Sequence, residues 1–102
     1  MKRKSETKIL AHILRGLSSI NRGHRHPFRT FTRRTIFTQG SHFHTFRGVT
    51  GVVNGHSHAF SGRTGLAIPV SGGHVHNFRV QTFVTRNHRH VLSGTTTRVV
   101  NI

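Results

Sequence analysis

The stretch His42-Phe43-His44-Thr45-Phe46-Arg47 returns 32 residues later as His74-Val75-His76-Asn77-Phe78-Arg79. Laid over one another, 42–64 and 74–96 are identical at 11 of 23 positions, among them His56/His88, His58/His90, Ser61/Ser93, Gly62/Gly94 and Thr64/Thr96. The same shift carried back sets 10–32 on 42–64 with eight identities, from His12 to Thr32. Self-similarity of this length marks a repeat array, in which each unit buries its apolar face only against its neighbours. The repeats fall at 10–41, 42–73 and 74–102, forming one His-x-His domain after a basic arm over 1–9.

Within a repeat the signal is strand. The pairs His24/His26, His42/His44, His56/His58, His74/His76 and His88/His90 are each followed, two residues on, by Phe or, in the last copy, by Leu92. A strand sends both imidazoles and that apolar side chain to one face. Thr, Val and Phe are frequent, and Gly precedes most pairs, as short strands joined by tight turns require. Pro69 belongs at an edge or corner. The expected fold is an all-β array of short strands, elongated, or associated into a trimer or fibre. Val99, Val100 and Ile102 form an uncapped apolar end that invites head-to-tail addition. The N-terminus has two readings. Leu10, Ile13, Leu17 and Ile20 sit at helical spacing, and Ser5 could cap a short helix from Glu6. Alternatively 10–32 is a first, degenerate repeat with Leu10 in place of the leading His.

Eleven His and no Cys stand beside a single acid, Glu6, in a chain of 102 residues. Paired carboxylates, thiolate sites, disulfides and a Ser-His-acid triad are therefore excluded, and phosphate-loop and dinucleotide fingerprints are missing. The chain is not expected to be an enzyme or to take a small-molecule substrate. Two His on one strand face place two imidazoles within reach of one ion, and imidazole suits Zn, Fe or Ni. Carboxylate and thiolate cannot complete such a site, so the remaining ligands must come from further pairs. Five complete pairs leave one unmatched in a monomer that builds four-His sites. A dimer gives four-His sites, and a trimer gives six-His sites without remainder. The candidate metal ligands are thus His24, His26, His42, His44, His56, His58, His74, His76, His88 and His90, the ion is a divalent transition metal, and the chain is expected to be a homo-oligomer. With Leu10 for His, the first repeat's leading site should bind metal weakly or not at all.

Sixteen Lys and Arg give a formal net charge of +15, and ten of them lie within 1–34. Lys2, Arg3, Lys4 and Lys8 make the arm, and Arg22, Arg25, Arg29, Arg33 and Arg34 alternate with Phe28 and Phe31. Arg among aromatics suits phosphate contact and base stacking, so these nine residues are the candidate surface for a polyanion or nucleic acid. Residues 9–17 are too short and too polar for the apolar core of a signal peptide, and no window approaches the ~18–20 apolar residues of a membrane span. Synthesis in the cytoplasm without a signal peptide is expected, compatible with a spore, cell-surface or extracellular assembly.

From Gly48 onward the chain resembles the YmaF family, found largely in spore-forming bacteria. The residues that carry this are Thr50-Gly51, Gly55-His56-Ser57-His58, the run Thr64-Gly65-Leu66-Ala67-Ile68-Pro69-Val70, Gly72-Gly73-His74-Val75-His76, Thr82-Phe83 and Asn87-His88-Arg89-His90. The resemblance implies a His-rich β-repeat and supplies no activity. Family members usually carry acids after the His pairs, where this chain has Asn77, Arg79 and Arg86, so its positive charge is its own. The Gly-x-His-x-His pattern is also similar to the receptor-binding tips of contractile phage tail fibres, where His pairs from associated chains enclose iron. Together these readings describe a structural, self-assembling β-repeat with metal-binding pairs, or, alternatively, a polyanion-binding module of a nucleoprotein assembly.

Overall fold

Three two-residue turns, spaced 32 residues apart, set the topology. Arg22-Gly23, Asn54-Gly55 and Arg86-Asn87 all have positive φ, between 53° and 78°. Two successive left-handed residues are what a type I′ turn needs, because only that turn matches the twist of the strands it joins. Asn-Gly satisfies it without strain; the other two copies hold an Arg in the left-handed region.

A computed structural model describes residues 9–102, which form ten strands: β1 (Leu10–Ala11), β2 (Ile13–Leu17), β3 (Pro27–Thr38), β4 (Ser41–Val49), β5 (Ala59–Arg63), β6 (Ile68–Val70), β7 (Gly73–Val75), β8 (Asn77–Gln81), β9 (Val91–Thr95) and β10 (Val100–Asn101). Three antiparallel hairpins share one register, displaced each time by 32 residues. Ile13 faces Phe31 in β2–β3, Thr45 faces Arg63 in β4–β5, and Asn77 faces Thr95 in β8–β9. Each ladder then breaks, and the freed N–H crosses to the preceding hairpin in the ring. Gly51 N–H donates to Pro27 O, Phe83 N–H to Ala59 O, and Ser19 N–H to Val91 O, at 2.7, 2.8 and 2.8 Å. The last of these runs from the first hairpin to the third, so the three form a ring.

Shorter ladders close the opposite end. Phe37 pairs with His42 and Pro69 with His74. The third member of this set is built from the two ends of the described chain, since β10 pairs with β1 through Leu10↔Asn101 and Ala11↔Val100. The expected open, elongated array with an adhesive C-terminal end is therefore corrected. The apolar strand that seemed free for head-to-tail addition is used within the molecule.

Six side chains fill the centre of the ring: Leu14, Phe46 and Phe78 from one row, Phe28, Phe60 and Leu92 from the other. Their cross-strand partners follow their size. Phe28 faces Gly16, Phe60 faces Gly48, Phe46 faces Gly62 and Phe78 faces Gly94, whereas Leu14 faces Thr30 and Leu92 faces Val80. A Cβ on Gly48 would lie 2.8 Å from the Phe60 ring, so the ring takes the volume that the glycine leaves. Where the third copy has the smaller Leu92, Val80 refills the gap and packs on the core.

The helical reading of 5–20 is overturned for the described residues, which are strand from Leu10 to Leu17 apart from His12. Its supposed buried stripe is largely on the outside, with Leu10, Leu17 and Ile20 more than half exposed. Ala11, His12, Leu14 and Ser18 are the buried ones, because a two-residue period sends Leu14 inward beside Phe28.

Candidate metal centres

All eleven His side chains gather into two clusters, one at each end of the Phe/Leu core. At the first end, the tips of the three hairpins bring together His24, His26, His56, His58, His88 and His90. The second member of each pair is pinned to its strand by a hydroxyl. His26, His58 and His90 N–H donate to Ser18 Oγ, Thr50 Oγ1 and Thr82 Oγ1 at 2.9–3.0 Å. These three rings are buried.

The six rings adopt the contacts of an octahedron. Of the fifteen possible pairs, twelve have ring centroids 4.8–5.1 Å apart. The three pairs without such contact are His24/His58, His56/His90 and His88/His26, so each ring has one opposite. Adjacent Nε2 atoms lie 3.1 Å (His56 to His88) and 3.3 Å (His88 to His24) apart. An octahedron with those edges has its centre about 2.2–2.3 Å from every nitrogen, slightly beyond the ~2.0–2.1 Å of four-coordinate Zn–N bonds, as six-coordination requires.

The proton positions follow from the other ring nitrogen. A carbonyl can only accept, so each Nδ1 near one must carry the hydrogen. His26 Nδ1 donates to Gly51 O at 2.8 Å, His58 Nδ1 to Phe83 O at 3.2 Å and His90 Nδ1 to Ser19 O at 2.7 Å. His24, His56 and His88 do the same to Arg22 O, Asn54 O and Arg86 O, two residues back in the type I′ turns, at 3.1–3.3 Å. Nε2 of all six rings is therefore left to face the centre of the cluster, and the Nε2 atoms of His26, His58 and His90 are buried without a hydrogen-bond partner. Carbonyl-anchored imidazoles of this kind are the usual outer support of metal ligands. Burial, opposed by these carbonyl bonds and reinforced by neighbouring imidazoles, lowers the pKa of His26, His56, His58 and His90 and keeps them neutral.

The second cluster holds His12, His42, His44, His74 and His76. His12, His44 and His76 N–H donate to Thr32, Thr64 and Thr96 Oγ1 at 3.0–3.1 Å. Eight ring pairs lie 4.6–5.1 Å apart. His76 contacts all four others, while His12 is opposite His42 and His44 is opposite His74. That is a square pyramid with His76 at its apex. Edges of 3.2 Å between the Nε2 atoms of His74 and both His12 and His42 match the first cluster. His12 Nδ1 donates to Thr97 O and His76 Nδ1 to Gly65 O. His44 Nδ1 instead meets Thr35 Oγ1 at 3.1 Å, because the register of β3 against β4 shifts between Thr32 and Thr35. Burial, together with His76, His12 and His42, lowers the His44 pKa to about 4.

Every one of the ten sequence-predicted ligands thus lies in a cluster, and His12 is the one that pair-counting missed. Its signal was present in the repeat alignment, which sets His12 on His44 and His76. Groups of four within both clusters, including His12/His44/His74/His76 and His26/His56/His58/His88, are close enough to hold a metal ion.

The predicted basic surface is split. Arg22 and Arg25 lie at the hairpin tip beside the six-His cluster, Arg29 is outward-facing near the start of β3, and Arg33 and Arg34 lie in the middle of β3, at its register shift against β4. Lys2, Arg3, Lys4 and Lys8 fall outside the described residues. Arg33 and Arg34 line a groove with Arg47. No helix among the described residues is long and apolar enough to cross a membrane.

No curated protein and no solved structure matches the chain. The family model described as spore germination protein GerY/YamF matches residues 12–99, from the first imidazole of the five-His cluster to the residue before the strand that closes the ring, and the chain belongs to this YmaF family.

Proposed function

We propose that the protein is a monomeric holder of two transition-metal ions, one in each His cluster, and that it serves spore germination in the metal-loaded form. The observation that carries this is the convergence of six Nε2 acceptors whose tautomers are fixed by six carbonyls. Without a cation, lone pairs 3.1–3.3 Å apart face one another. An all-nitrogen octahedron suits Fe2+ or Ni2+ better than Zn2+, whose structural sites are tetrahedral. The six-His centre leaves no coordination position for a substrate, so its role is structural or redox rather than Lewis-acid catalysis.

Three internal copies supply what the sequence seemed to need from three chains. Self-association is then an additional property and no longer a condition of the site. Its support is the exposed apolar surface, led by Phe37 at 80% exposure. The test of the main reading is metal analysis after anaerobic loading with Fe2+, Ni2+ or Zn2+ in turn, followed by gel filtration. Two ions per chain in a monomer, falling to one in His58→Ala, is the expected result. No retained metal at micromolar protein would overturn it.

A second reading rests on the Arg33/Arg34/Arg47 groove, since the described residues contain no carboxylate side chain to pair with these cations. On this reading the groove takes a polyanion, with the arm over 1–9 adding contacts. Replacing Arg33, Arg34 and Arg47 by Gln should weaken binding to heparin or DNA and flatten its salt dependence. An unchanged salt slope would leave these charges as a solvated coat.

A further inference from the structure

The two His centres differ in one respect that bears on chemistry. The pairing rule of the six-His centre sets the first His of each repeat opposite the second His of the next, as in His24/His58, His56/His90 and His88/His26. At the other end the order runs the opposite way: the first His of each repeat faces the second His of the preceding one, His42 opposite His12 and His74 opposite His44, which are the two pairs lacking ring contact there. The remaining partner of His76 is residue 10, and residue 10 is Leu. Leu10 pairs with Asn101 in the same register as His42 with Phe37 and His74 with Pro69. The backbone is thus placed for a sixth imidazole, and the side chain supplies no donor.

What lies over that vertex is space. A cavity of about 250 Å³ is lined by the four basal imidazoles, His12, His42, His44 and His74, but not by the apical His76. It therefore sits on the side of the square pyramid away from the apex. Its other walls include Leu10, Phe37 and Val99, with the cationic Arg33. An apolar mouth with one guanidinium admits a ligand of a few atoms and favours a negative one.

We propose that the five-His centre is a ligand-binding metal site, in which an ion keeps the coordination position trans to His76 for a small monodentate anion. This rests on the metal-holding reading above and deepens it. One centre is saturated by protein nitrogen, while the other exchanges its sixth ligand. Metal sites that react with exogenous molecules keep one such open position, whereas structural sites are closed. On this view Leu10 is the residue that makes the second centre reactive, and the mismatch in the first repeat is functional.

The experiment uses the full chain loaded with Co2+ under nitrogen and titrated with sodium azide, followed by visible absorption and cobalt analysis. Two cobalt ions per chain and one saturable azide-dependent change are expected. Leu10→His should abolish that change while keeping both cobalt ions, and His58→Ala, at the other end, should leave it in place. Arg33→Gln should weaken azide several-fold with cobalt content unchanged. Two bound cobalt ions with no azide response in the parent chain overturn the inference, as does a response that persists in cobalt-loaded Leu10→His. One cobalt ion, lost in His58→Ala, overturns the inference and leaves the six-His reading standing. No cobalt in either centre removes both.

Discussion

A neutral imidazole has one donor and one acceptor, and in the six-His centre the backbone has chosen which is which. Six carbonyls take the Nδ1 hydrogens, so the Nε2 lone pairs are directed inward before any ion arrives. Protonating these rings would force hydrogens into a centre that has no acceptor for them. The pH dependence follows in sign. His12, His26, His42, His44, His56, His58, His76 and His90 all have folded-state pKa values below the ordinary 6.5, His44 at about 4, with burial the leading cause in each. The unfolded chain therefore binds more protons than the folded one once the pH drops below about 6.5. This stability is complete above that value and is lost progressively as the pH falls toward 4. Urea titrations of the metal-free protein should show a falling midpoint over this window. Metal loading should move the onset of the loss to lower pH, since ions compete with protons for the same Nε2 atoms. A flat midpoint between pH 7 and pH 4 would contradict the burial of these rings.

At the scale of the hairpin, the packing rule is that a ring faces a glycine and a Leu faces something larger. Gly48→Ala should therefore destabilise by about 1–3 kcal/mol, the usual range for overpacking, because the new Cβ meets both the Phe60 ring and Thr30. Adding Phe60→Leu to Gly48→Ala should recover part of that loss by copying the Val80/Leu92 pair of the third repeat. A double-mutant cycle by chemical denaturation measures the coupling, and additivity would show that the exchange of volume is not local. The turns carry a smaller reserve. Arg86 sits at φ 54°, where Asn54 sits in the second copy, and Arg86→Asn should stabilise the hairpin by about 0.5–1 kcal/mol. The thermal midpoint reports this, and no rise would mean that the Arg86 bond to Gly55 O offsets the strain.

The whole molecule is a ring of three copies cut between residues 102 and 9. Ile102 N–H donates to Ile9 O at 2.8 Å, so the cut lies where the other two copies have tight turns at Gln39-Gly40 and Ser71-Gly72. A permuted chain that joins Ile102 to Ile9 through Asn-Gly and opens between Gln39 and Gly40 should fold and retain both metal ions. Metal analysis and circular dichroism check this, and loss of the five-His ion alone would place a special role on β1. Because the permutant omits residues 1–8, it also separates the arm from the ring. Retained heparin binding would assign the polyanion contact to the Arg33/Arg34/Arg47 groove, and lost binding to the arm.

The strands, the tight turns and the shared face of the ten paired imidazoles were readable from the sequence, because alternation and Gly position are local properties that neighbouring residues fix. Asn54-Gly55 announces its turn, and His56-Ser57-His58 announces a shared face. The family was equally legible from the motifs of the second and third copies. Three things were decided only in tertiary structure. Spacing along the chain cannot say whether copies meet within one molecule or between molecules, and the pairing of β10 with β1 settled this by closing the ring. Helical spacing of Leu10, Ile13, Leu17 and Ile20 competed with strand alternation, and burial of Leu14 against Phe28 favoured the strand. Finally, counting His-x-His pairs overlooked His12. Its place in a five-membered shell exists only because the ring brings it to His44 and His76, from strands more than thirty residues away in sequence.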